Sequence, residues 1–258
     1  MKTLKEIYEY RQMIFSLVRK ELRGRYKGSV LGFLWTFINP LLQLLVYTLV
    51  FSVILKSNIE KYYLFLFVAL VPWNFFSACL TGGSSSVINE KEMVKKIYFP
   101  RQVLPIAYVT TAFVNMLLCF IVVFGVIIVS GEGINPVALL YLPIFLIVEY
   151  ILGLGIALIS SALDVYFRDL EYILGVIAMA WTYLTPVMYS IDIVPDKLMS
   201  IFMLNPMTPI IVGCRDILYY RQIPQVSTLL HALLMGIVFV IIGSIVFKKC
   251  ERHFVEEM

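Results

Sequence analysis

VLPIAYVTTAFVNMLLCFIVVFGVIIVS, residues 103–130, runs 28 positions without an acidic or basic side chain. A helix crosses the hydrocarbon of a bilayer in about 20 residues, so this stretch is read as a membrane span. Working outward, blocks of the same kind recur at 30–55, 62–80, 138–163, 171–190 and 229–247, six spans in all. The whole chain of 258 residues is 60% hydrophobic and 15% charged. The segments between spans are too short for a separate soluble domain. One all-α membrane domain over 1–258 is therefore expected: an arm at 1–29, a six-helix bundle at 30–247 and a tail at 248–258. The first apolar run begins only near Val30, behind a charged stretch, and is too long for a signal-peptide core; it is expected to stay as a helix.

Charge sets the orientation. With both termini on one side, 16 of the 21 Lys and Arg fall in segments on that side and five on the other. Basic loops stay in the cytoplasm, which predicts N-in, C-in. Within the arm, Leu4, Ile7, Tyr8, Ile14, Phe15, Val18 and Leu22 recur at helical spacing opposite Lys5, Glu9, Arg19, Lys20 and Arg23. That pattern predicts a helix over 4–22 lying on the inner-leaflet surface, where anionic headgroups attract Lys and Arg. A plain topology signal would look similar.

Span one carries Trp35, Asn39, Gln43 and Tyr47 at successive i, i+4 positions, hence on one face. Amides facing lipid are costly. The face should look at protein, through helix–helix hydrogen bonds, or at a water-filled path. Pro40 is a candidate kink. Trp181, Thr185 and Tyr189 repeat the mixture on span five. Span four holds Glu149 at membrane depth, by default a functional candidate, with a structural hydrogen bond as the plainer role. Gly153, Ala157 and Ser161 on that span form a small-residue seam.

The polar stretch 82–101 predicts a short helix, Glu90–Tyr98, with Asn89 and Glu92 as a capping box. Met93, Val94, Ile97 and Tyr98 share one face, and Pro100 ends the element. It suits a docking site for a soluble partner or a solvated connector. Asp164 to Leu170 is a second short turn on the same side. Residues 191–228 are too long for a plain connection and read as two short helices at, or dipping into, the outer leaflet. They form a candidate outer gate.

The chain lacks G-x-x-x-x-G-K-[ST], H-E-x-x-H and C-x-x-C. Its four cysteines show no metal-ligand spacing, and nucleic acid is not an expected partner. It should move something across a membrane with energy from elsewhere.

Several short motifs, in order, carry a resemblance: Arg25-Tyr26-Lys27, Trp35, Asn39-Pro40, Pro72-Trp73-Asn74-Phe75-Phe76, Lys96-Ile97-Tyr98-Phe99-Pro100-Arg101, Tyr166-Phe167-Arg168-Asp169-Leu170, Thr185-Pro186-Val187-Met188-Tyr189 and Asn205-Pro206. With these the chain resembles the membrane subunit of type 2 ABC exporters of the O-antigen and teichoic acid polysaccharide branch. The resemblance implies a homodimer on two ATPase subunits. It implies no cofactor in this chain, ATP and Mg being held by the ATPase, and a bacterial inner-membrane location. The cargo it implies is a polyprenyl-pyrophosphate-linked polysaccharide, with O-antigen first, teichoic acid next, and drug or lipid export as alternatives. On that resemblance the translocation path is Trp35, Asn39, Gln43, Tyr47, Trp181, Thr185 and Tyr189. ATPase coupling falls to Asn89, Glu90, Met93, Val94, Ile97, Tyr98, Arg101, Arg168 and Asp169. Arg23, Arg25 and Lys27 would receive the lipid pyrophosphate. A membrane enzyme would need an acid–base cluster; Asp164, Asp169 and Glu171 near Arg168 fit a structural ion-pair turn better.

Overall fold

The structure is a computed structural model describing residues 2–24, 31–54, 56–167 and 169–257. Among them every regular element is helical. In chain order these are α1 Lys2–Glu9, α2 Arg11–Gly24, α3 Trp35–Thr48, α4 Tyr62–Leu80, α5 Lys91–Lys96, α6 Val103–Val129, α7 Pro136–Leu139, α8 Leu142–Asp164, α9 Leu170–Leu184, α10 Asp196–Leu204, α11 Met207–Leu218, α12 Val226–Cys250 and α13 Phe254–Glu257. Five stretches are long and apolar enough to cross a membrane: Gly32–Ile54, Tyr62–Leu80, Val103–Val129, Pro136–Asp164 and Val226–His253. The pair α10 and α11, bent by 101°, makes a sixth if taken as one.

The expected span at 171–190 is shorter. α9 stops at Leu184 after 15 residues, about 22 Å at 1.5 Å per residue, against about 30 Å of hydrocarbon. The reason is Pro186, whose ring disfavours helix at the residue before it; Thr185 is extended, at φ −113° and ψ 138°.

α4 is apolar all round and is enclosed by α3, α6, α8, α9 and α11. Phe65, Leu66, Val68 and Ala69 have no exposed surface. The closest helix pair is α8 with α12. A Cβ on Gly155 would come within 2.5 Å of the Phe239 backbone, and one on Gly243 within 2.4 Å of the Gly155 carbonyl. The predicted seam on α8 faces the other way, toward α4: a Cβ on Gly153 would meet Cys79 and Phe75 at 2.9 Å.

Pro40 lies inside α3 and has no N–H for the Thr36 carbonyl four residues back. Cys119 Sγ on α6 donates to that oxygen at 3.4 Å. A cysteine with no metal-ligand spacing thus satisfies a group that lipid could not.

The connections sort to two ends. At one, Val94, Phe99, Val103, Leu158, Val165, Phe247 and Phe254 form a second hydrophobic cluster. Tyr10, Met13, Ile14 and Leu17 of the arm pack on it. Both termini, the 82–101 segment and the 164–170 turn therefore share this end. At the other end Glu132 pairs with Lys61 and Arg221, Asn135 Nδ2 donates to the Arg221 carbonyl at 3.0 Å, and Tyr219 Oη donates to the Glu60 carbonyl at 2.6 Å. Lys61 and Arg221 both hold left-handed backbone, at φ 45° and 57°. Lys61 beside Glu132 holds its carboxyl below the usual range.

Candidate translocation site and docking surface

α3 buries Thr36, Pro40 and Leu44 against the bundle. The predicted face lies one step round. Trp35 and Tyr47 are half-buried, whereas Asn39 and Gln43 are exposed. Gln43 Oε1 accepts from Asn74 Nδ2 on α4 at 2.9 Å. Trp35 and Asn39 line a cavity of about 490 Å³ between α3, α4 and α6, together with Asn74 and Asn115. Neither carboxamide atom of Asn115 has a hydrogen-bond partner among the described residues. Sequence reading missed Asn115, although a lone amide within 103–130 was the available sign.

The second stripe does not continue as a helical face, because α9 ends between Trp181 and Thr185. Trp181 is half-buried, edge-to-face on Phe76 at 5.2 Å. Thr185 is fully buried; its Oγ1 donates to the Trp181 carbonyl at 2.8 Å and accepts from Asn205 Nδ2 at 2.7 Å. In this chain it lies inside the fold and presents nothing to a lumen. Tyr189 is half-buried, its hydroxyl donating to the Tyr183 carbonyl at 2.8 Å.

From Leu184 to Tyr189 six successive carbonyls need donors, and each has one. Asn205 serves Leu184 at 3.2 Å, and the Val187 N–H serves Thr185 at 2.7 Å. Arg215 serves Pro186, Val187 and Tyr189 at 2.5, 2.6 and 3.0 Å. Tyr62 Oη serves Met188 at 2.7 Å. Arg215 is buried and sits over the Phe65 ring at 3.6 Å. A buried charge is tolerable only when its donors are used. The motifs at 185–189 and 205–206 thus meet in space. Arg215, absent from the expected site, joins them.

Glu149 is fully buried, and the hydrogen bond expected for it is missing: both carboxyl oxygens are without a partner among the described residues.

At the end that gathers the termini, the coupling element is shorter than expected. A 3-10 turn, Ile88–Glu90, leads into α5, and no side chain caps it, so Asn89 and Glu92 form no capping box. Ile97 is extended, at φ −130° and ψ 136°. The expected common face is therefore divided. Val94 is 4% exposed and Met93 packs beside it, whereas Ile97 is 58% and Tyr98 94% exposed. Glu90 pairs with Lys20 of the arm. Arg101 donates to the Glu251 carbonyl and lies 5.7 Å from the Phe254 ring, so it secures the tail. Asp169 is exposed just before α9. The arm forms two helices. Ile14 and Val18 face protein, while Tyr8 and Phe15 stay 66% exposed. Arg23 is exposed; Arg25, Lys27 and Arg168 lie outside the described residues.

A two-ended apolar bundle with exposed amides at membrane depth and an exposed aromatic knob at one end is a multi-pass membrane protein of the transporter type. The chain belongs to the ABC-2 type transporter family, matching it over residues 12–219. It is 33% identical over the full length of both chains to the O-antigen export system permease protein RfbA of Myxococcus xanthus. To the RfbA of Klebsiella pneumoniae it is 31% identical, over 95% of this chain and 94% of that one. A more distant relative, at 22% identity over 92% of this chain and 93% of the other, is the polysialic acid transport protein KpsM of Escherichia coli.

Proposed function

We propose that this chain is the permease of an ATP-driven exporter that carries a lipid-linked polysaccharide, an O-antigen in the first place, across a bacterial inner membrane. The carrying observation is the full-length similarity to permeases named for O-antigen export. The end holding the termini and Tyr98 faces the cytoplasm in this reading, which the excess of basic residues on that side supports. Two copies work together on two ATPase chains, which bind ATP and Mg. The uncovered apolar side of α3, including Leu41, Leu42 and Leu45, faces lipid and the second copy. Tyr98 and Ile97 enter a cleft of the ATPase, with Asp169 beside them; Arg168 is assigned to the same coupling role from the sequence. Arg23, Arg25 and Lys27 receive the pyrophosphate. Asn39 and Gln43 offer amides to sugar hydroxyls, and Trp35 and Tyr47 offer rings to pyranose C–H faces, so a long polymer slides over many weak contacts.

Deleting the chain in its own host should abolish surface polysaccharide and accumulate lipid-linked polymer inside. Asn39→Leu with Gln43→Leu should lower export at least tenfold, roughly 1.4 kcal/mol on a rate, at normal protein yield. Unchanged surface polymer in the deletion would overturn the function. Unchanged export in the double variant would remove α3 from the path.

A further inference from the structure

Beyond the break in α9, a cleft of about 560 Å³ lies between residues 190–192, α11 and the start of α12. Its walls include the carboxylates of Asp192 and Asp216, the carboxamides of Gln222 and Gln225, the Thr228 hydroxyl and the Tyr220 ring. Asp216 Oδ1 accepts from Gln222 Nε2 at 2.9 Å, and Asp192 Oδ2 accepts from Ser190 Oγ at 2.6 Å. A carboxylate has about four acceptor positions, so both retain capacity. Tyr220 is 45% exposed and held edge-to-face by Tyr219 at 4.9 Å. Tyr219 is itself tied to Glu60. The ring is thus set in place with part of its surface open. Arg215 also lines the back of the cleft, with its donors taken up by backbone carbonyls, so two carboxylates and one guanidinium face the cleft and negative charge is in excess.

A pyranose offers adjacent hydroxyls to planar carboxylates and carboxamides, and an apolar C–H face to an aromatic ring. A sugar acid brings a like charge to Asp192 and Asp216, which disfavours it. We propose that this cleft is a saccharide site that takes neutral hexose units and rejects anionic ones. It rests on the cargo proposed above and adds which sugars the chain admits at its outer end.

Binding is measured on the purified full-length chain in detergent, by saturation-transfer NMR and titration. The probes are neutral tetrasaccharides of mannose, glucose and galactose, and an α2,8-linked sialic acid tetramer. At least one neutral probe should bind and the sialyl tetramer should not. Tyr220→Ala should weaken neutral binding at least tenfold, while Tyr220→Phe retains it. Gln225→Ala should weaken it as well, and serves if Tyr220→Ala fails to fold. Asp192→Asn combined with Asp216→Asn should admit the sialyl tetramer. The proposal falls if no neutral probe binds, if both classes bind the parent chain equally, or if neither Tyr220→Ala nor Gln225→Ala changes binding. No ATPase or export enters this measurement. Sugar binding in a chain whose deletion leaves surface polymer intact would sink the exporter reading alone; lost surface polymer without sugar binding would sink the cleft alone.

Discussion

Arg215 is the residue on which the fold around the break in α9 depends. Removing its guanidinium strands the carbonyls of Pro186, Val187 and Tyr189, and each buried unsatisfied acceptor costs about 1–3 kcal/mol. Arg215→Met should therefore destabilise the chain by roughly 3 kcal/mol or more. Arg215→Lys should recover only part, because one ammonium lacks the planar fork that reaches several oxygens. Thermal unfolding of the purified protein in detergent, followed by size-exclusion recovery, checks this. Equal midpoints for Arg215→Met and the parent would show the carbonyls to be served by water. Nothing in the sequence singled out Arg215. One of two arginines in 191–228, it reads as a loop charge until the carbonyls it meets, 26 to 29 positions earlier, are seen.

At the scale of elements, α5 shows what short helices conceal. Six residues do not sustain a helix alone; Val94 and Met93 fix this one by packing on the cluster around Phe247 and Phe254. Tyr98→Asp should leave insertion and thermal stability unchanged but lower co-purification with the ATPase at least tenfold. Val94→Asp should lower the yield of folded protein itself, since it places an unpaired charge in a closed core. If Tyr98→Asp retains full complex and full ATPase stimulation, the element is only a connector. The long helices were legible because apolar length is a direct physical requirement of a bilayer. The sides of α5 were not, because one and a half turns contain no period to read. The stop of α9 was signalled by Thr185-Pro186. The regular spacing of Trp181, Thr185 and Tyr189 masked it by suggesting a helix that continues.

For the whole molecule, the two ends are held differently. The end that gathers the termini is closed by hydrophobic packing, the opposite end by ion pairs around Glu132. Glu132 has its carboxyl held below the usual range by the hydrogen bond from Lys61; Lys61 is raised by the same bond. A depressed carboxyl contributes stability above its ordinary value of about 4.3 and loses it as pH falls through the lower folded value. A raised lysine contributes below about 10.4 and loses it as pH rises further. The tie is thus complete between roughly pH 5 and pH 10. Hydrogen exchange in 56–62 and 131–135 should rise on acidification below about pH 4. Glu132→Gln should show the raised exchange already at pH 7 and no further acid step. Identical acid profiles for the two proteins would refute the tie.

The carbonyls at 184–189 also constrain how the chain is made. Their donors Asn205 and Arg215 are synthesised after them, and the helix they terminate is only 15 residues long. Until 207–218 leaves the ribosome, the segment from 170 to 190 has neither the length to span hydrocarbon nor donors for the carbonyls of Leu184, Pro186, Val187 and Tyr189. It has to wait at the translocon or the interface and enter the bilayer together with the bent pair α10 and α11. The second half of this protein is therefore inserted as a unit of about fifty residues rather than helix by helix.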